Sequence, residues 1–356
     1  MKVGIVGLPG AGKTVVYRAI AQGGGYEDHG AHIVVVRVPD ERFDWLAQHE
    51  SAKKSTPATI EFVKGAARIG DESRKDKFGS DFFADVRKVE ALVHVVRVFN
   101  DELGTPPDPV ADARELAEEL ILADLQVVET RLTRIEKSLH GVKHGAVTPE
   151  TIERDLLLRV QKVLEDGGRL DSGEFSPDEQ RILKGFDFLT LKPQVLVANI
   201  AEEDLEGEPE ALKNLKDYAE EIDIPLVVIC GELEAQIAEI PEEDRTEYLS
   251  AMGLDEPASY RLIRECYRVL GAITFFTIGD VETRAWTIPA GTPVVEAAGK
   301  VHSDMARGFI RAEVASFETV RDAGGWDESK RQGLIHLHTK EYIVQDGDII
   351  FVRFKV

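Results

Sequence analysis

The sequence predicts an α/β fold: a mostly parallel sheet that carries a phosphate-binding loop, an antiparallel helical hairpin inserted into it, and a mixed β-rich module at the C-terminal end. Three observations predict this. Gly7-Leu8-Pro9-Gly10-Ala11-Gly12-Lys13-Thr14 fits G-x-x-x-x-G-K-[ST] and stands between the apolar run Val3-Gly4-Ile5-Val6 and the helix-compatible run Val15 to Ala21. Two later segments carry apolar residues at alternating steps of three and four. From Ile273 onward, short alternating runs separated by Gly and Asp take over.

The loop lies near the start of the chain. Glycines at 7, 10 and 12 let backbone N–H groups curl around a phosphate, and the following helix directs the positive end of its dipole there. Lys13 would neutralise the β and γ oxygens, and Thr14 would offer its hydroxyl to Mg²⁺. Pro9 is compatible with a loop, where no ladder hydrogen bond is lost. Pro9, Gly10, Ala11, Gly12, Lys13 and Thr14 are therefore the candidate phosphate-binding residues, with Thr14 the candidate metal ligand.

Further strands follow in order. Ile33-Val34-Val35-Val36, Thr59-Ile60-Glu61-Phe62-Val63 and the run Ala91 to Val98 are β-branched and apolar, as strands covered on both faces by helices should be. Leu125, Val128, Leu132, Ile135 and Leu139 then form one helical stripe. Ile152, Leu156, Val160, Val163 and Leu164 form a second, after a break from His140 to Gly145. The strand pattern resumes at Gln194 to Asn199 and Leu226 to Cys230, with a helical segment from Ala211 to Glu221 between them. A helix over Arg261 to Leu270 leads into the last module, whose strands are Arg284 to Ile288, Gly308 to Val314 and Asp348 to Phe354. The expected divisions are 1–108 and 188–272 for the nucleotide-binding domain, 109–187 for the hairpin, and 273–356 for the β-rich module.

Composition narrows the function classes. The 356 residues carry a formal net charge of −22, which disfavours non-specific binding to a nucleic-acid backbone. From Ile273 onward 12 acidic residues meet 10 basic ones, so the C-terminal module is the better candidate for RNA contact. Cys230 and Cys266 lack metal-ligand spacing, and no metal cluster is expected. The cysteine usage and the absence of a long apolar run point to a reducing cytoplasm, with neither membrane span nor signal peptide.

The chain resembles the YchF subfamily of Obg-like P-loop NTPases over nearly its whole length. The resemblance rests on Gly4 to Pro9, Val38-Pro39-Asp40, Phe188 to Pro193, Arg284-Ala285-Trp286-Thr287, Gly308 to Val314 and Tyr342 to Asp348. It implies a G-domain that binds ATP, a helical arm, a C-terminal TGS domain, and association with ribosomes or RNA through the arm and the TGS domain. In the wider GTPase class an Asn-Lys-x-Asp motif selects guanine. Here Asn199-Ile200-Ala201-Glu202 stands at the matching place, without the Lys and with a longer acid, which spoils the bidentate contact to guanine and favours ATP over GTP. The resemblance thus adds Asn199, Ile200, Glu202 and Cys230 to the candidate nucleotide-binding residues.

The catalytic parts of the family are not matched. Where its members carry Asp-x-x-Gly, this chain has Lys64-Gly65-Ala66-Ala67, so a cation replaces the metal-holding carboxylate and would supply part of the metal's charge. Gly23 to Gly30 lacks the family's Tyr-Pro-Phe and Thr signature, and Phe99 to Pro107 lacks its catalytic His. Hydrolysis is therefore expected to be weak or lost, with an active ATPase or GTPase using a rearranged site, His29 or Asp28 included, as the alternative. Arg284, Arg307, Arg311 and Arg353 with Trp286 and Phe309 are the candidate RNA-facing residues. His302 and Asp304 resemble a family signature but are the sort of pair that also serves as structure.

Overall fold

The structure, a computed structural model, describes residues 1–23, 33–50, 52–64, 80–101, 103–140 and 147–355. Its elements follow local chemistry. β1 (Lys2–Val6) is buried from Val3 onward and ends at the loop, and α1 (Lys13–Gly23) begins at its lysine. β2 (Ile33–Arg37) precedes α2 (Glu41–His49), whose start is set by the Asp40 carboxylate accepting from the Arg42 N–H. Next come β3 (Lys54–Thr56), β4 (Thr59–Lys64), α3 (Ser80–Arg87) and the buried β5 (Ala91–Arg97).

α4 (Pro109–Ser138) opens with Asp108 as cap and Pro109 in its first turn, where a missing N–H costs nothing. α5 (Pro149–Glu165) opens on a reciprocal Thr148–Thr151 capping box, and α6 (Pro177–Leu183) on Ser176–Glu179. β6 (Gln194–Asn199), α7 (Glu210–Glu221), β7 (Leu226–Ile229), α8 (Gly231–Glu239), α9 (Glu242–Ala251) and α10 (Ala258–Val269) follow. The rest of the chain runs β8 (Ala272–Thr277), β9 (Glu282–Pro289), α11 (Val294–Val301), α12 (Ser303–Arg307) and β10 (Phe309–Ser316). It closes with α13 (Phe317–Ala323), α14 (Trp326–Arg331), β11 (His336–His338) and β12 (Asp348–Phe354).

Two compact units result, one built mainly from Met1–Ala19 and Phe62–Ala258, the other mainly from Val34–Glu61 and Ser259–Val356. In the first, β1, β5, β6 and β7 pair in that order, all parallel. Every residue of β6 is buried, as is β5 up to Val96, which is why both read as continuous apolar runs. The parallel order places the C-terminal ends of these strands together, where α/β sheets hold their ligands.

α4 and α5 pack through Val128, Leu132, Ile135, Leu156, Leu157, Val160 and Leu164, and Arg131 bridges to Glu153 at 2.6 and 2.8 Å. Ile152, counted in the sequence stripe, is 49% exposed instead, whereas Leu157, outside that stripe, is buried. The base of α4 is tied down by a buried carboxylate. Asp124 accepts from Arg87 Nη1 and from both the N–H and hydroxyl of Thr190, each at 2.9 Å. Lys192 donates to the carbonyls of Arg87 and Val89. The Phe188 to Pro193 motif thus serves as an anchor between α3, α4 and β6.

The second unit holds a mixed sheet in the order β11-β10-β12-β8-β9-β3. Its inner face sets Ala312, Val314 and Ile350 against Phe275, Ile288, Val294 and Ala297. The sequence divisions put residues 34–61 with the nucleotide-binding part, whereas by packing they join this unit. The cause lies in specific partners: β3 pairs with β9, Phe43 stacks on Phe276, and the Arg42 guanidinium bridges Asp40 and Asp346 at 2.9 and 2.8 Å. Two separate sequence motifs, Val38-Pro39-Asp40 and Tyr342 to Asp348, therefore meet at one arginine.

Candidate nucleotide-binding site

The loop after β1 has the backbone its glycines foretell. Gly7, Gly10 and Gly12 take φ values of 147, 79 and 86°, which side chains rarely adopt. At Gly12 a Cβ would also stand 2.1 Å from Asn199 Nδ2, and at Gly7 it would stand 2.3 Å from the Val95 carbonyl. Pro9, Gly10 and Thr14 lie at the surface, and Ala11 is buried beneath them.

Lys13 donates to the carbonyls of Gly7 at 2.9 Å and Leu8 at 2.6 Å, so its ammonium is held against the loop. Burial, aided by the neighbouring charge of Lys64, pushes Lys13 down to about 8. Lys64 is the last residue of β4, a strand that neighbours β1 in the sheet order. The two residues belong to the same compact unit. Behind them on β5 is His94, in register with Val6, 4% exposed and without a hydrogen-bond partner for Nε2 among the described residues. Burial, with the charge of Lys13 second, pushes His94 down to about 3, so its ring is neutral.

Asn199, at the C-terminal end of β6, staples the site together. Its Nδ2 donates to the Ala11 carbonyl at 3.1 Å and its Oδ1 accepts from the Gly231 N–H at 3.0 Å, joining the phosphate loop to the start of α8. Gly231 has to be small here, since a Cβ would meet Val15 Cγ1 at 3.0 Å and Asn199 Oδ1 at 3.1 Å. Sequence reasoning passed over Gly231, although a strand, a Cys-Gly pair and a helix in succession carry the signal. Cys230 is buried at the cap of α8, and burial raises its thiol with backbone hydrogen bonds opposing. The Ile200 side chain sits in the core with Val98, Ala198 and Leu233, while Glu202 is exposed on a short 3₁₀ turn. The structure thus brings the loop, Asn199 and Cys230 together, and leaves Ile200 facing inward.

A divalent cation fits this donor set poorly. Thr14 would need a second, carboxylate holder, and its expected place is taken by Lys64, whose charge acts on a second lysine. Among the described residues no group of three or more His, Cys, Asp or Glu is arranged to hold a metal. Gly65 to Ala67, and the Gly24 to Gly30 stretch with His29 and Asp28, lie outside the described residues.

The other candidates are mostly engaged within the fold. His302 Nδ1 accepts from the Asp304 N–H at 3.2 Å and caps α12, while Arg307 pairs with Asp304. Arg353 pairs with the buried Glu313, and Arg284 lies over the Trp286 ring at 4.1 Å. Arg311 is exposed, in register with Arg353 across β10 and β12, and Phe309 is half-buried. Both cysteines are free and buried, and no helix among the described residues is long and apolar enough to cross a membrane.

The chain is similar to known proteins in sequence and fold. Residues 272–355 match the family YchF-GTPase_C, described as a protein of unknown function (DUF933). The Ribosome-binding ATPase YchF of Bacillus subtilis (strain 168) is 35% identical over 369 aligned residues, spanning 100% of both chains. The Obg-like ATPase 1 of Caenorhabditis elegans is 32% identical, across 99% of this chain and 92% of its own. A solved structure, that of the Schizosaccharomyces pombe YchF GTPase, superposes with a TM-score of 0.89 at 27% identity, across 99% of this chain and 97% of that one.

Proposed function

This chain belongs to the YchF family of Obg-like P-loop NTPases, and we propose that it is a purine-nucleotide-binding, ribosome-associated factor whose hydrolytic step is weak or lost. The observation that carries the binding half is the loop. Three glycines hold positive φ, a lysine is fixed against the loop, and Asn199 locks it to α8. The ligand is a purine nucleoside triphosphate, ATP in preference to GTP, because Glu202 in place of a shorter acid does not fit the paired N–H groups of guanine. Asn199 acts through the loop and α8 rather than on the base, and the wall near the base is built from the Cys230 turn.

The hydrolytic half rests on what stands at the catalytic positions. Phosphoryl transfer needs a positioned water and charge stabilisation at the γ-phosphate. Lys64 stands where the resemblance places a metal-holding carboxylate, and His94 is buried and held down at about 3, too weak a proton acceptor to activate water. Relatives named ribosome-binding ATPases support a ribosome partner, and hence action in the cytoplasm. In this reading 1–108 and 188–272, apart from the 34–61 segment that packs with the second unit, bind the nucleotide, while the arm at 109–187 and the TGS-like module at 273–356 contact ribosome or RNA.

Phosphate release under multiple-turnover conditions, with and without ribosomes, tests the proposal. The expected rate is at least about 100-fold below a typical kinase turnover of 1 s⁻¹ or more, ribosomes present or absent. A robust rate abolished by Lys13→Ala would establish instead an active ATPase with a rearranged site.

A further inference from the structure

The Lys13–Lys64 pair is the least ordinary feature of the site. Lys64 ends β4, the strand beside β1 in the sheet, and β1 runs into the loop whose carbonyls hold the Lys13 ammonium; the two side chains are both half-buried, and among the described residues neither forms an ion pair. Such an arrangement is repulsive in itself, and burial strengthens the repulsion. His94, whose pKa the Lys13 charge also lowers, is held neutral and so adds no third charge. Around it the loop offers N–H groups and the dipole of α1, both of which also favour an anion. Two neighbouring ammonium groups beside the loop are complementary to a multiply charged anion. A metal ion would add two more positive charges to a corner that already carries two, and the carboxylate that would receive it is absent from the Lys64 position.

We propose that Lys64 acts with Lys13 as a second phosphate-neutralising cation, so that this chain binds a purine nucleoside triphosphate in its metal-free form. The inference rests on the nucleotide-binding reading above and adds a specific ligand state to it. Mg²⁺ normally bridges the β and γ oxygens in phosphate-loop proteins and makes the nucleotide a less charged ligand. With an ammonium from each side, the oxygens are neutralised by the protein, and magnesium competes for the same lone pairs instead of assisting. The same substitution removes the metal from the reaction, which ties tight binding to slow hydrolysis through one residue.

The test is calorimetric titration of the full chain with ATP, in EDTA and in millimolar Mg²⁺, for the native protein and for Lys64→Met and Lys64→Asp. Native affinity should be higher in EDTA than in millimolar Mg²⁺, because the metal competes for the same oxygens, and equal or tighter binding with Mg²⁺ would contradict the inference. Lys64→Met, which keeps the apolar stem, should bind about tenfold more weakly in EDTA, the loss of one partly screened charge contact. Lys64→Asp should bind at least about tenfold more tightly with Mg²⁺ than without, as a restored carboxylate would require. Thermal melts of each variant establish that it is folded. Native binding no tighter in EDTA than in Mg²⁺, or a folded Lys64→Met with unchanged affinity in EDTA, would overturn the inference while leaving nucleotide binding intact. No binding by native protein in either buffer would overturn both.

Discussion

His94 shows how much one residue at the site depends on its surroundings. It is buried on β5, its Nε2 has no partner among the described residues, and burial and Lys13 together hold it down at about 3 against an ordinary 6.5. Between those two values the unfolded chain binds a proton that the folded chain does not. Stability therefore rises with pH across this window, is fully present above pH 6.5, and falls as the solution is acidified, by at most about 1.4 kcal/mol per pH unit. Urea unfolding of the native protein and of His94→Gln at about pH 5 and pH 7 should show a steeper acid loss for the native chain. Parallel pH dependences would mean that this ring titrates normally. Asn199 teaches a related lesson about legibility. Its place in a nucleotide motif is visible in the sequence, but its actual partners, Ala11 and Gly231, are 188 and 32 residues away and appear only once β1, β6 and β7 are aligned.

Elements whose burial is two-sided, such as β5 and β6, were legible because helices on both faces leave no polar alternation. The hairpin was legible from its 3–4 spacing, with Ile152 the exception noted above. α2 and β3 were not read from the sequence, since nine- and three-residue elements are decided by tertiary partners: Asp346 for Arg42, Phe276 for Phe43, and β9 for β3. The Asp40 cap ahead of Phe43 and Leu46 was the available signal. At this scale the ion pairs differ sharply in consequence. Asp124 is fully buried and satisfies Arg87 and Thr190 at once, so Asp124→Ala should cost about 3–5 kcal/mol in denaturant unfolding. Arg131, 41% exposed in its pair with Glu153, should cost less than about 1 kcal/mol as Arg131→Ala. Equal losses would contradict the anchoring role assigned to Asp124.

Over the whole molecule, family membership and local chemistry point in different directions, and the difference is informative. The chain matches proteins named ribosome-binding ATPases along its full length, and in the proposed reading its phosphate loop holds a nucleotide while Lys64 stands in place of a metal-holding carboxylate. The charge balance follows the same division of labour, since nearly all of the net negative charge precedes Ile273 and the C-terminal module is close to neutral. A factor of this kind would signal by occupancy, with nucleotide arrival and departure setting its state. The most direct measurement of that claim is the equilibrium binding of ATP to the intact chain, followed by calorimetry and compared with Lys13→Ala. The expected result is one site per chain with a dissociation constant below about 100 μM, a free energy of roughly −5.5 kcal/mol or better, lost in the variant. Absence of heat with both ATP and GTP at millimolar concentration, with Mg²⁺ present or removed, would contradict it.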